Sequence, residues 1–482
     1  IKEYIITIKL RVLKTNNVNL WMIKKVLFVT LIIILIFMIS IEKTKQQDEI
    51  LIASSMPQSS GLKAWGDAVF TATNSYFNYA NDNNLIKDKK IVLKVLDDKY
   101  EPDLTYENIT KLSKDDILAF YGIVGTPTNK RVLPILEDSG MVYFSPFSGA
   151  QFLRDKNLKN IINFRPSYKQ ELENLLNYIV DEKKLDKIAI FYQNDEYGEE
   201  GYISTLEILK NKNIELISTG TYKRNTLSIN HAFNEIKKSK PEVIVMIGAY
   251  KANSLFIKKA KSDEILKNVI FCNISFGDAN SIVKELEATN TDTKNLIFSQ
   301  IVPNYNDKSL KIVQEYQEIM KKYSNESSLG FISFEAFLAS KVLVNQISKI
   351  EELGELNRKN LLNALKSPPK NILYELELDF KNNFNNTLLF WLERFIRNKL
   401  TTLSNRQVLQ KEKLASIIQQ LVKGTKSIDE LAFIAKEARN IGLAGVNTYF
   451  NPLFKLYNFT LNLGLASMKE IDEELLSDFL AS

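Results

Sequence analysis

The chain of 482 residues has one cysteine, Cys272, and one histidine, His231. A single thiol excludes an internal disulfide framework and any cysteine-rich zinc site. A single imidazole excludes every mechanism that needs two histidines, the helical His-Glu-x-x-His zinc motif included. His231 lies in Ser228-Ile229-Asn230-His231-Ala232-Phe233 and reads as a surface or capping residue where a helix opens. Glycine (17) and proline (11) are scarce, which excludes collagen-like and Pro/Gly-rich disordered chains. Neither sign of charge dominates: 63 Lys and Arg stand against 57 Asp and Glu, leaving +6. That is too little for a nucleic-acid coat along the whole chain, although a local basic patch is compatible with it. No Gly-x-x-x-x-Gly-Lys-Ser/Thr or Gly-x-Gly-x-x-Gly run occurs, so phosphate-loop nucleotide binding has no support. The chain reads as a non-enzyme with no cofactor and no metal.

What is present is a globular composition, 45% hydrophobic and 25% charged, over a length that suggests two to four domains. Residues 1–21 show no period, and translation is expected to begin at Met22. Met22-Ile23-Lys24-Lys25 then precedes an apolar run from Val26 to Ile39, followed by Ser40-Ile41-Glu42-Lys43. A basic start and an apolar run of roughly 14–16 residues form the pattern of a secretory signal. The run falls short of the roughly 20 residues a spanning helix needs. No cysteine follows it, which excludes lipoprotein anchoring, and no Ala-x-Ala site is evident. Residues 22–42 therefore read as a signal peptide or uncleaved anchor, with a buried core helix as the plain alternative.

From residue 48 to about 383, short apolar strands alternate with amphipathic helices. Strands are expected at Glu49–Ser54, Ile91–Leu96, Ala119–Tyr121, Val142–Ser145, Lys187–Tyr192, Val243–Ile247 and Val269–Cys272. Helices are expected at Gly61–Asn81, Glu107–Leu112, Lys130–Glu137, Lys169–Glu182, Gly201–Lys210, Ile229–Lys238 and Lys251–Ser262. This alternation implies parallel sheets with helices on both faces, and ligands beyond the carboxyl ends of the strands. Two loops there, Gly122-Ile123-Val124-Gly125-Thr126-Pro127-Thr128 and Ser145-Pro146-Phe147-Ser148-Gly149-Ala150, offer small residues, backbone N–H groups and hydroxyls. Such loops hold a carboxylate without a cationic side chain, or simply cap helices. The Asp97-Asp98 pair reads as turn and cap residues rather than a catalytic or cation-holding pair.

The order of these pieces resembles the type I periplasmic binding proteins, in particular the leucine/isoleucine/valine-binding branch that serves ABC transporters. The matching segments are Ile52-Ala53-Ser54-Ser55-Met56-Pro57-Gln58-Ser59-Ser60-Gly61, Asp97-Asp98-Lys99-Tyr100-Glu101-Pro102 and the two loops above. They continue with Phe164-Arg165-Pro166-Ser167-Tyr168, Ile190-Phe191-Tyr192-Gln193-Asn194-Asp195-Glu196-Tyr197-Gly198, Ile247-Gly248-Ala249-Tyr250 and Ser333-Phe334-Glu335-Ala336-Phe337. The resemblance implies an α/β clamshell of two lobes, the first about 48–165 and 300–370, the second about 166–299 and 371–383. It further implies that Thr126, Thr128, Ser148, Gly149 and Ala150 receive a ligand carboxylate while Tyr197 and Tyr250 close over it. In the amino-acid binders an acid after a later second-lobe strand pairs with the ligand ammonium. Here Ser275 stands at that place, and Asp278 lies about one turn away. Arg165 is expected near the lobe crossover, facing an anionic ligand or forming an interdomain salt bridge.

Asp379-Phe380-Lys381-Asn382-Asn383-Phe384-Asn385-Asn386 reads as a boundary. Beyond it the period is helical only, with candidates at Thr387–Leu400, Ser404–Val422, Ser427–Asn440, Val446–Leu463 and Lys469–Leu480, a small all-α bundle. From Glu393 to Arg439 ten basic residues face five acidic ones, which suits a phosphate-backbone surface or a solvated helix face. Leu389-Phe390-Trp391-Leu392-Glu393-Arg394-Phe395-Ile396-Arg397, Thr402-Leu403-Ser404-Asn405 and Ala438–Tyr449 resemble the amino-terminal core-binding domain of a Xer-type tyrosine recombinase. The resemblance implies DNA contacts from Arg394, Arg397, Lys399, Arg406 and Arg439, with DNA a partner of this segment alone. With His231 the single histidine, the catalytic His-x-x-Arg of that family has no place here.

The two resemblances imply a fusion: a binding-protein pattern broken off after Leu376-Glu377-Leu378-Asp379-Phe380, then the front of a recombinase over 386–482. Three functions are weighed. Capture of a small ligand (amino acid, amide or short organic acid) for an ABC transporter permease is favoured, at a periplasmic or membrane-anchored location facing the periplasm. A ligand-sensing receptor ectodomain and a DNA-binding recombinase fragment without catalytic domain are the alternatives.

Overall fold

Runs of β-branched and aromatic residues between amphipathic stretches make strands covered on both faces, and the computed structural model is built of them. It describes residues 28–30, 48–324, 328–369, 371–374 and 376. These divide into two units, Ile50–Lys87 with Ile91 onward, and a smaller one holding residues 28–30, 48–49 and 88–90. The larger unit carries the features described below.

The first sheet is formed by β1 (Asp48–Met56), β2 (Lys89–Asp97), β3 (Ile117–Tyr121), β4 (Tyr143–Phe144) and β5 (Ile161–Ile162), in the order β2-β1-β3-β4-β5. The second is formed by β6 (Ile188–Gln193), β7 (Ser218–Tyr222), β8 (Val243–Ile247), β9 (Ile270–Asn273) and β10 (Leu296–Phe298), in the order β10-β9-β8-β6-β7. β3 pairs in parallel with β1 and β4, as β6 does with β7 and β8. All five residues of β8 are buried, as a central parallel strand requires.

The helices are α1 (Lys63–Asp82), α2 (Pro102–Leu112), α3 (Thr126–Ser139), α4 (Tyr168–Asn177), α5 (Glu196–Asn211), α6 (Asn230–Ser239), α7 (Tyr250–Lys261), α8 (Ala279–Glu287), α9 (Lys311–Tyr323), α10 (Phe331–Glu352) and α11 (Arg358–Lys366). Ile109 and Leu112 of α2 and Val132 and Leu136 of α3 pack on one side of the first sheet with Ile117 and Phe120. The other side takes α1, and the chain returns to it after β10: α9 and α10 lie against α1. The Tyr121 hydroxyl of β3 donates to Ala336 O at 2.9 Å, tying β3 to α10.

Three helices, α2, α3 and α5, start earlier than their apolar period suggests. Pro102, pre-set for a first helical position, opens α2, and the Asp195 side chain accepts from Tyr197 N at 3.1 Å to cap α5. The edge strands β7 and β10, the short β5, and the helices α8–α11 lie outside the expected elements, although Ile312, Val313, Tyr316, Ile319 and Met320 give α9 a regular apolar face. His231 is exposed on α6 and Cys272 is buried in β9. Tyr374 lies against Lys311 and Lys341, 4.4 and 4.6 Å from its ring centre. Residues 377–482, with the five expected helices, Arg394, Arg397, Lys399, Arg406 and Arg439, lie outside the described residues, as does most of the 22–42 segment. No described helix is long and apolar enough to cross a membrane.

Candidate functional site

The loop after β3 turns on Gly122 (φ +64) and Gly125 (φ +104), where a side chain would be strained. A Cβ on Gly125 would come within 2.3 Å of the Tyr100 ring, so the residue must be glycine. The turn delivers Thr126 to the start of α3, where its hydroxyl lies 2.8 Å from Ser148 Oγ and 3.2 Å from the Tyr168 hydroxyl. Ser148 Oγ also accepts from Ala150 N at 3.3 Å, and a Cβ on Gly149 would lie 2.5 Å from Tyr168. Thr126, Thr128, Ser148 and Ala150 are all fully buried. Thr128 differs from Thr126, because its hydroxyl donates to Gly125 O at 2.8 Å and Val124 O at 2.5 Å within its own turn.

From the second sheet, Tyr197 enters on the first turn of α5. It is fully buried and its hydroxyl finds no hydrogen-bond partner among the described residues. Burial pushes that phenol well above its ordinary range, with Tyr168 adding to the effect. Tyr197 packs on Tyr168 (5.4 Å between ring centres) and Phe276 (4.8 Å). Trp65 of α1 stacks on Phe276 at 4.6 Å and donates from Nε1 to Phe276 O at 3.0 Å. Tyr250 opens α7, with its hydroxyl close to the Ala64 backbone of α1. Burial, then the Asp278 charge, push it up to about 12. Asp278, at φ +60, caps α8 by accepting from Ser281 N at 3.2 Å, and burial raises its carboxyl above the usual range.

Beneath this aromatic group lies a buried charge cluster. Arg165 Nε stands 3.2 Å from Glu335 Oε1, in a geometry too poorly aligned for a hydrogen bond, and Arg165 Nη2 donates to Ser275 Oγ at 2.8 Å. Glu171 accepts from Ser275 N (2.8 Å), Ser275 Oγ (2.9 Å) and Ser299 Oγ (2.5 Å). Burial, opposed by Arg165 and reinforced by Glu171, raises the Glu335 carboxyl to about 7.

The Asp97-Asp98 pair fastens a turn. Asp98 accepts from Ser55 Oγ (2.8 Å), Tyr100 N (2.9 Å) and Thr105 Oγ1 (3.2 Å), and burial lifts it to about 6. Burial acts on Asp97 too, but hydrogen bonds from Ser59, Gln58 N and Lys99 N hold it below its usual value. Among the described residues no group of three or more His, Cys, Asp or Glu is gathered to hold a metal.

At the rim, Arg224 joins Glu101 (3.0 Å) to Asp195 (3.2 Å), and Asn225 Nδ2 donates to Glu101 Oε1 at 2.6 Å. These contacts run from the loop after β7 to the start of α2, so they latch one domain onto the other. The pairs are partly exposed, hence weak. Arg224→Ala should therefore lower the unfolding free energy by less than about 1 kcal/mol in chemical denaturation.

Sequence reasoning placed the hydroxyl loops, Tyr197 and Tyr250 but passed over Trp65, Tyr168, Glu171, Phe276 and Glu335. Tyr168 and Glu335 lie inside segments quoted above, and Phe276 lies between Ser275 and Asp278. Ser167 gave a local signal for Glu171: its capping box with Gln170 starts α4 and sets Tyr168 and Glu171 one turn apart on one face.

The sequence pattern of the family described as periplasmic binding protein matches residues 49–374, and that of the phage integrase SAM-like domain matches 379–482. Residues totalling 22% of the chain are 49% identical to tyrosine recombinase XerH of Campylobacter jejuni, covering 30% of that protein. Leu/Ile/Val-binding protein homolog 3 of Brucella melitensis is 25% identical over 31% of the chain and 41% of its own length. The chain thus spans less than half of each of these two curated relatives. A crystal structure described as "a possible leucine/isoleucine/valine-binding protein" from Rhodopirellula baltica superimposes with a TM-score of 0.62 at 28% identity, covering 66% of this chain and 86% of that one.

Proposed function

We propose, on the premise that the chain belongs over residues 49–374 to the periplasmic binding protein family, that it captures a small solute between its two domains. An amino acid, an amide or a short organic acid fits, and an ABC transporter permease receives it. The family places such a protein outside the cytoplasm. The observation that carries this reading is the joining, in one buried interior, of the Thr126 and Ser148 hydroxyls of the first domain with the Tyr168 hydroxyl and the unpartnered Tyr197 hydroxyl of the second. Hydroxyls and the N-terminus of α3 suit a carboxylate, while the rings of Trp65, Tyr197 and Phe276 suit an apolar body. Gly149 lets Tyr168 approach, Ala150 and Thr128 shape the turns, and Tyr250 and Asp278 border the second domain's side. No bond is made or broken in this role.

Thermal-shift screening of the full chain against amino acids, amides and short acids tests the proposal. Stabilisation by at least one class is expected; no stabilisation by any would remove it. Thr126→Val with Ser148→Ala should weaken the bound compound by about 10- to 100-fold in calorimetric titration, since hydrogen bonds to a charged group are lost.

For residues 379–482 the proposal is DNA binding, supported by the integrase SAM-like match and by Arg394, Arg397, Lys399, Arg406 and Arg439. A gel shift of the full chain on duplex DNA should weaken steeply with salt. Absence of a salt-sensitive shift would remove this second role.

A further inference from the structure

A guanidinium nitrogen shut away from water needs an acceptor for its hydrogens. Arg165 is only 1% exposed, and its donors are unevenly used. Nη2 donates to Ser275 Oγ at 2.8 Å and Nε faces Glu335 at 3.2 Å, but Nη1 has no partner among the described residues. The Tyr197 hydroxyl is in the same condition, fully buried and unmatched. Both groups border one aromatic wall. The Arg165 guanidinium carbon lies 5.5 Å from the Trp65 ring centre, Trp65 stacks on Phe276, and Phe276 packs on Tyr197. The charge of Arg165 also reaches the Tyr168 phenol, whose hydroxyl stands 3.2 Å from Thr126 Oγ1. The unmet donors thus adjoin the hydroxyl turns of the first domain.

The buried acids nearby are already engaged. Glu171 accepts twice from Ser275 and once from Ser299, and both Arg154 and Arg165 act on it. Asp278 is held by the N–H groups that open α8, and Asp195 by Gln193, Arg224 and Tyr197 N. Glu335 faces Arg165 itself. Arg154 spends its two terminal nitrogens on Ala150 O and Arg165 O, at 2.7 Å each. Two arginines and two glutamates balance in charge, yet hydrogen-bond donors are left over. An ammonium would bring more donors to this place, whereas a carboxylate brings the acceptors that Arg165 Nη1 and Tyr197 lack. Burial lifts Glu335 to about 7, so it can take up a proton when a further anion arrives, keeping two cations against two anions.

We propose that Arg165 takes the carboxylate of the captured solute through Nη1, and that the solute is an apolar-bodied organic acid without an ammonium group. The inference rests on the solute-capture reading above and selects one of its three solute classes. Tyr197 donates to the same carboxylate, and Trp65 and Phe276 supply flat apolar surface for the body.

The test is calorimetric titration of the full chain with two matched sets. One is 4-methylpentanoate, its primary amide and L-leucine; the other is 3-phenylpropanoate, its primary amide and L-phenylalanine. In at least one set the acid should bind at least about tenfold tighter than both its amide and its amino acid, the worth of a charged hydrogen bond. Arg165→Met combined with Glu335→Gln removes both charges together and should bring the acid-to-amide ratio below about threefold. A purely structural role for Arg165 would lower all affinities and leave that ratio where it was. The wild-type ranking decides by itself if the double variant does not fold. An amino acid or amide binding as tightly as its acid would overturn the inference and leave solute capture standing. No binding by any member of either set would overturn it too, and the wider thermal-shift screen then decides the capture reading separately.

Discussion

Arg165→Met lowers the unfolding free energy by about 3–5 kcal/mol in urea titrations, the largest expected loss from a single side chain in this protein. The cause is not the value of the ion pair itself but what its loss leaves behind. Glu335 and Glu171 stay in an interior with side chains essentially without solvent contact, and neither α10 nor α4 can turn them outward. Arg165 also bonds Ser275 and lies over the Trp65 ring at 5.5 Å, so both domains feel its removal. Arg165→Met combined with Glu335→Gln should recover much of the deficit, because the two residues couple directly. An Arg165→Met loss below about 1 kcal/mol would show that water reaches the cluster. pH gives a second handle. Glu335 titrates near 7 in the folded chain against an ordinary value of 4.5, so its contribution to stability is full below 4.5. That contribution is lost as pH rises toward 7.

Gly198→Ala should cost about 3 kcal/mol, the upper end for overpacking. An added Cβ would sit 1.8 Å from Gln193 O, and a backbone carbonyl cannot swing aside as a side-chain tip can. The first domain repeats the arrangement: a Cβ on Gly66 of α1 would sit 1.8 Å from Pro57 O. In both domains a helix closes against the end of the preceding strand through a glycine, which sets the depth at which Trp65 and Tyr197 enter the interior. Gly66→Ala should therefore match Gly198→Ala in chemical denaturation. Gly140→Ala, with nothing within 4 Å, loses only through its φ of +59, about 1 kcal/mol. Equal losses at all three positions would contradict the close-approach account.

Much of the fold is legible because parallel strands buried on both faces must be apolar throughout: Val243–Ile247 is apolar at every position. The strands Ser218–Tyr222 and Leu296–Phe298 lie at sheet edges, where that demand lapses and polar or very short segments suffice. Phe331–Glu352 escapes for the opposite reason. Fifteen of its 22 residues are buried, so it lacks the single apolar stripe that marks a surface helix. At the site, Thr126 and Ser148 are readable because turn chemistry is local. The Arg165, Glu171 and Glu335 cluster is not, since nothing local in sequence reveals that segments so far apart meet. Thr128 shows the limit of counting hydroxyls, as the helix turn itself engages its Oγ1.

The claim that two domains close on a solute is tested most directly by the distance across the rim. Glu107→Cys on α2 and Lys223→Cys beside Arg224 place labels on exposed positions of the two domains. Cys272 should stay unlabelled, because burial pushes its thiol up to about 12. With a stabilising compound from the screen, single-molecule energy transfer should show one short distance; without it, a longer distance should dominate. The same distribution in both conditions would contradict the account.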